Sequence, residues 1–235
     1  NEPTIREFCD VMKLKDILSE DELNVRLIEK VTGMSHEEVM DMDASTIQKI
    51  GSILFTHYNK ESKKLTQSFQ LNGVTYKFMD VNTISFGQFV DIDTFLKKDE
   101  GYRIANLNEL MAYMYCEEGT KYSESNFKER IEHMLDAPSH IIESSLFFFI
   151  KFREGIVRNY GTLFKESDNV SNDETENSFS KFWGYYQIIS LLAEDKVWQI
   201  DFVTSLGLTS ALNHLSYITD LNNEKERLIK EQQPR

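Results

Sequence analysis

The stretch "SFQLNGVTYKF" places Asn72-Gly73 between two runs of alternating apolar residues, with Phe69 and Leu71 before it and Val74, Tyr76 and Phe78 after it. Both central positions of a type I′ turn need positive φ, and Asn-Gly adopts it readily. The pair therefore predicts an antiparallel hairpin. On either side of this stretch the apolar spacing is helical. The expected fold is mainly α with a small β-hairpin (α+β), in a compact helical body.

Helix starts are written in the sequence. In "SEDEL" Ser19 stands at a cap with Glu22 three residues on, a capping box that satisfies two orphan N–H groups. Leu23, Leu27, Ile28 and Val31 then form an apolar stripe that ends at Gly33. Ser35 and Glu38 repeat the box, and "DASTIQKIGSILF" supplies a further helical period through Ile47, Ile50, Leu54 and Phe55. Beyond the hairpin, "NLNELMAYMY" (residues 106–115) and "SESNFKERIEHML" read as helices, the second broken by Pro138. "HIIESSLFFFIKFREGIVRNYGTLF" is apolar around most of its circumference, as a helix central to a domain would be.

Between Glu166 and Glu176 there are five acids, no base and one aliphatic residue, the composition of a mobile loop or linker. "FSKFWGYYQIISLLAE", a short "QIDFVTSL" and "LGLTSALNHLSYITDLNNEKERLIKE" follow as helices. The expected organisation is an N-terminal helical unit over 1–60, the hairpin and a helical core over 61–165, an acidic loop or linker over 166–178, and C-terminal helices over 179–235 that pack on the core.

"SFGQFVDIDTFLKKDE" raises the question of a metal. Counted from Asp91, the third EF-hand ligand position is Phe95 and the turn position is Leu96, so that pattern fails. Ser85 and Gln88 instead make a capping box, and Phe86, Phe89, Ile92 and Phe95 recur every three residues. On such a helix Asp91 and Asp93 lie about 200° apart and cannot share a ligand. Their expected role is solvent contact or a basic partner. The five histidines form no H-E-x-x-H frame or zinc cluster. There is no G-x-S-x-G elbow and no phosphate-binding glycine loop. No catalytic residue, metal ligand or cofactor site is therefore assigned.

The net charge of −13 opposes binding to nucleic-acid phosphates and to anionic membranes. No apolar run approaches the 18 residues of a membrane span. Cys9 and Cys116 are too few for a disulfide framework and fit a reducing compartment as small apolar residues. No signal-peptide pattern opens the chain, and Asn1 is not an initiator methionine, which leaves room for residues upstream.

The order of segments resembles that of structural and tail-gene-cluster proteins of tailed bacteriophages, in particular the crAss-like and related phages of Bacteroidetes hosts. The resemblance rests on "LIEKVTGMSHEEVMDMDASTIQKI", on "ISFGQFVDIDTFL" ahead of "NLNELMAYMY", and on "FWGYYQIISLLAEDKVWQIDFVTSLGLTSALNHLSYITDLNNEKE". The acidic stretch from Glu166 to Glu176 departs from the pattern. What the resemblance implies is a non-enzymatic role: a ring or connector component between capsid and tail, or a tail-assembly chaperone. It would act as a homo-oligomer or ring with other phage structural proteins, in a virion assembled in host cytoplasm. A soluble adaptor for a host protein and a hydrolase with a spatially assembled site are the alternatives. Aromatic side chains dominate interface contacts, so the candidate partner contacts are Phe182, Trp183, Tyr185 and Tyr186, with Leu221, Leu228 and Ile229 of the charged C-terminal helix.

Overall fold

The computed structural model describes residues 3–15, 17–58, 64–123, 126–161, 163 and 183–232. Helices α1 (Ile5–Lys15), α2 (Glu20–Thr32), α3 (His36–Met40) and α4 (Ala44–Tyr58) come first. Strands β1 (Ser68–Leu71) and β2 (Val74–Phe78) follow, then α5 (Phe86–Leu96), α6 (Glu100–Ala105), α7 (Leu107–Met114) and strand β3 (Tyr115–Glu117). After them come α8 (Phe127–Met134), α9 (Ile141–Asn159), α10 (Tyr185–Leu192), a 3-10 turn (Val197–Gln199), α11 (Ile200–Ser205) and α12 (Leu208–Gln232). The protein is mainly α with a small antiparallel sheet, as the sequence predicts. The acidic stretch and Phe182 lie outside the described residues.

The chain divides into two units, Asn1–Met79 with Thr94–Phe148, and Asp80–Asp93 with Phe149–Arg235. In the first unit both predicted capping boxes form, Ser19 with Glu22 and Ser35 with Glu38. Gly33 ends α2 at φ 74° and donates its N–H to the Glu29 carbonyl. Asp43 caps α4 by accepting from the Thr46 N–H at 2.9 Å and from the Ser45 and Thr46 hydroxyls. Val11, Leu23 and Leu27 form a core cluster, with Leu14, Leu18, Leu54 and Phe55 packed on it. Val31, the last residue of the predicted α2 stripe, is exposed. A Cβ on Gly51 of α4 would lie 2.2–2.4 Å from Asn24 of α2, so only glycine fits that approach.

Asn72 (φ 51°) and Gly73 (φ 79°) make the hairpin turn, with Leu71 opposite Val74 and Phe69 opposite Tyr76. The sequence predicts one helix over 106–115, but α7 stops at Met114. Tyr115–Glu117 instead pairs antiparallel with β2, Tyr115 opposite Phe78. Two strands alone are marginal in water, and the third supplies the missing ladder. Tyr115 is fully buried. Its hydroxyl donates to the Thr66 carbonyl at 2.7 Å, so its oxygen accepts from Ser145 Oγ at 2.8 Å. Burial, partly opposed by that Ser145 bond, pushes its phenol up to about 12. Arg130 of α8 is also buried, its Nη1 donating to the Ala112 carbonyl at 3.2 Å and to Cys116 Sγ at 3.4 Å.

In the second unit the start of α5 is pinned by two backbone bonds, Phe86 N–H to Leu206 O and Leu208 N–H to Ile84 O. Phe86, Phe89 and Ile92 are buried at the predicted three-residue spacing. The Phe89 ring packs on Phe149 and Phe152 of α9, at 5.9 and 6.3 Å between centroids. Ile189, Leu192, Val203, Leu208, Ala211, Leu212 and Leu215 are buried along α10, α11 and the first two turns of α12. Helix α9 contributes residues to both units, and its Phe147 (first unit) and Ile150 (second unit) are exposed, so that helix is sided rather than enclosed.

Candidate interaction surface

The two aspartates of "VDIDTF" take different environments. Asp93 is only 1% exposed. A buried carboxylate must be paired and hydrogen-bonded. Arg153 Nε of α9 donates to its Oδ1, and the Tyr185 hydroxyl of α10 donates to its Oδ2 at 2.7 Å. The expectation of solvent or a basic partner therefore fails for Asp93, whose partner is Arg153 of its own chain. Burial above all, with the Asp93 charge and hydrogen bond, holds the Tyr185 phenol far above its ordinary range. Tyr185 thus directs its hydroxyl into the unit.

Its sequence neighbours behave otherwise. Trp183 is 43% and Tyr186 46% exposed, with ring centroids 5.4 Å apart and planes tilted by 40°. With Gln187, Ser190, Leu191 and Asp195 they line a cavity of about 450 Å³. Within α10, 186, 187, 190 and 191 recur at three and four residues and share one face, whereas Trp183 stands before the helix, across Gly184 at φ 46°. Asp195 reaches that face through a turn in which Glu194 (φ 52°) and Asp195 (φ 58°) are both left-handed. Asp195 N–H donates to the Ser190 carbonyl at 2.9 Å, and Ser190 Oγ–H donates to Asp195 Oδ1 at 3.0 Å. Lys196, the adjacent cation, pairs with Glu194 instead.

Immediately downstream, Val197, Trp198 and Phe202 are exposed, Trp198 at 79% and Phe202 at 64%. Val203, beside Phe202, is buried, so α11 has already spent its core-facing side. On α12 nothing beyond Leu215 is buried, and Leu221, Leu228 and Ile229 are all exposed. That distal half is held by its own pairs, Arg227 with Glu224 and Glu231. Of the predicted contact residues, the structure brings Trp183 and Tyr186 together at one cavity and sets Tyr185 apart on Asp93. Sequence reasoning missed Ser190, Asp195, Trp198 and Phe202. The Trp198–Phe202 spacing of four was a readable signal, whereas nothing in "AEDK" announces two left-handed residues.

In the first unit a second cavity, of about 470 Å³, is lined by Lys64–Ser68 and His140. Among the described residues no three His, Cys, Asp or Glu side chains gather as a metal site requires, and no helix is long and apolar enough to cross a membrane. Comparisons with protein-family models, curated proteins and solved structures return no match for this chain.

Proposed function

We propose that this chain is a non-catalytic structural or assembly protein of a tailed-phage particle, a ring or connector component between capsid and tail or a tail-assembly chaperone. The observation that carries the reading is the run of large apolar side chains left in solvent on the second unit, Trp198 and Phe202 foremost. Large aromatic side chains held in solvent are the kind that dominate contact sites, tryptophan foremost. The resemblance of "ISFGQFVDIDTFL" and "FWGYYQIISLLAE" to phage proteins supplies the context, and the acidic net charge suits contact with basic partner subunits.

Native mass spectrometry of the full chain, alone and with the particle's capsid and tail proteins, tests the proposal. A ring or connector gives a fixed multiple, and a chaperone gives a stoichiometric complex with a tail protein that is absent from finished particles. Trp198→Ser with Phe202→Ser abolishes either assembly. A chain that stays monomeric and retains no particle protein sinks the reading. Recovery of one stoichiometric host protein instead assigns the adaptor role to the same surface.

A further inference from the structure

The Trp183–Tyr186 cavity has a composition that a merely apolar contact does not need. Two aromatic rings packed on each other, 5.4 Å between centroids, line it, Leu191 adds aliphatic surface, and Asp195 contributes a carboxylate. Ring faces carry negative electrostatic potential and attract cations, most strongly at tryptophan. Asp195 takes one side-chain hydrogen bond, from Ser190, and among the described residues no lysine, arginine or histidine pairs with it. Lys196, which is best placed in sequence to neutralise it, is engaged by Glu194. The turn that sets the carboxylate there uses two consecutive left-handed non-glycine residues, a conformation that L-residues adopt at a cost.

From these features we infer that the cavity is a recognition site for the cationic side chain of a lysine or arginine presented by a basic segment of a partner protein. The ammonium or guanidinium lies over the Trp183 and Tyr186 rings and pairs with Asp195, while its methylene stem covers Leu191. Long basic side chains bury their stems along apolar surface in this way. A chain of net charge −13 adds long-range attraction for such a segment. The inference rests on the assembly reading only for the source of the cation, since the cavity's chemistry is its own.

Short blocked pentapeptides with lysine, arginine or uncharged norleucine at the centre, flanked by glycine, test the inference on the full-length chain. The readout is the indole N–H resonance of Trp183, assigned by its loss in Trp183→Phe. Saturable shifts with the basic peptides, at least about tenfold weaker with norleucine, are expected. Asp195→Asn should weaken the basic peptides by a similar factor. Asparagine tolerates left-handed φ, so this variant keeps the turn. An unaltered Trp198 indole resonance verifies that the fold is retained. Equal binding of norleucine, unchanged affinity in Asp195→Asn, or no Trp183 shift in the folded wild type would each overturn the site. Binding of lysine by a chain that forms no assembly fails the function proposed above and leaves this site standing. Assembly without peptide binding does the reverse.

Discussion

The hydroxyl of Tyr185, in the first turn of α10, donates to Oδ2 of the buried Asp93 on α5, and Arg153 of α9 donates to the other oxygen of the same carboxylate. One carboxylate thus ties three helices of the second unit. Removing it as Asp93→Ala leaves a guanidinium and a phenol facing a gap and is expected to cost roughly 3–5 kcal/mol. Tyr185→Phe, which loses one hydrogen bond to a charge, costs roughly 1.5–3 kcal/mol. Urea unfolding measures both. Additivity of Tyr185→Phe with Asp93→Asn to within about 0.5 kcal/mol would show that the two do not interact.

Tyr115 gives a pH signature on the alkaline side. Its phenol is raised from an ordinary value near 10 to about 12 by burial. Between those pH values the unfolded chain has released the proton and the folded chain retains it, so stability falls as pH rises. The contribution is fully present below pH 10 and shrinks by about 1.4 kcal/mol per unit from there to about 12. The difference in unfolding free energy between wild type and Tyr115→Phe should be flat from pH 7 to 9 and decline above 10. A difference that stays constant up to pH 12 contradicts this.

Asp43 acts at the other extreme. Its carboxylate accepts from Ser45 and Thr46 at the start of α4 and is held down to about 2. A depressed folded value means stability present above about pH 4 and lost as pH falls toward 2. Asp43→Ala should therefore lower the thermal midpoint at pH 7 and remove part of the acid dependence below pH 4. Equal acid dependence in the two proteins would count against the cap.

Gly51→Ala replaces a poor helix former with the best one, which favours the helix by about 1 kcal/mol. Here the new Cβ meets Asn24 at 2.2–2.4 Å, and Asn24 is itself buried. Overpacking costs about 1–3 kcal/mol and should win. Asn24→Gly in the same chain should recover part of the loss, and chemical denaturation of the four combinations measures it.

Arg130 is buried, and among the described residues no carboxylate pairs with it. A buried charge without an ionic partner gains little over an apolar side chain of similar size. Arg130→Met should be neutral or stabilising in a thermal melt, whereas Arg130→Ala, which opens a cavity, should be destabilising by about 2–5 kcal/mol.

What was legible in the sequence is what local chemistry decides. Ser19 with Glu22, Ser35 with Glu38, and Asn72-Gly73 each specify their structure within four residues, and each forms. Strand β3 was hidden because Tyr115 continues the apolar spacing of α7; only the open edge of β2, far back in the chain, converts it. Asp93 was misread for a related reason. The helical period separates it from Asp91, but Arg153, sixty residues away, decides that it is the buried one. At the cavity, Tyr186, Gln187, Ser190 and Leu191 share a helix face that could be read from sequence, whereas Trp183 reaches it from before α10, across the positive φ of Gly184. Asp195 arrives by backbone conformation that no glycine or proline marks.

The Glu194–Asp195 turn carries one more consequence. Glycine would suit either left-handed position better, so Asp195→Gly should make the folded chain easier to form by relieving strain, at the expense of the carboxylate that Asp195 brings to the cavity. The conformational cost of aiming that carboxylate is met during folding, before any visitor arrives. An encounter there finds its anion already in place, and selectivity becomes a property of the resting molecule rather than of the event.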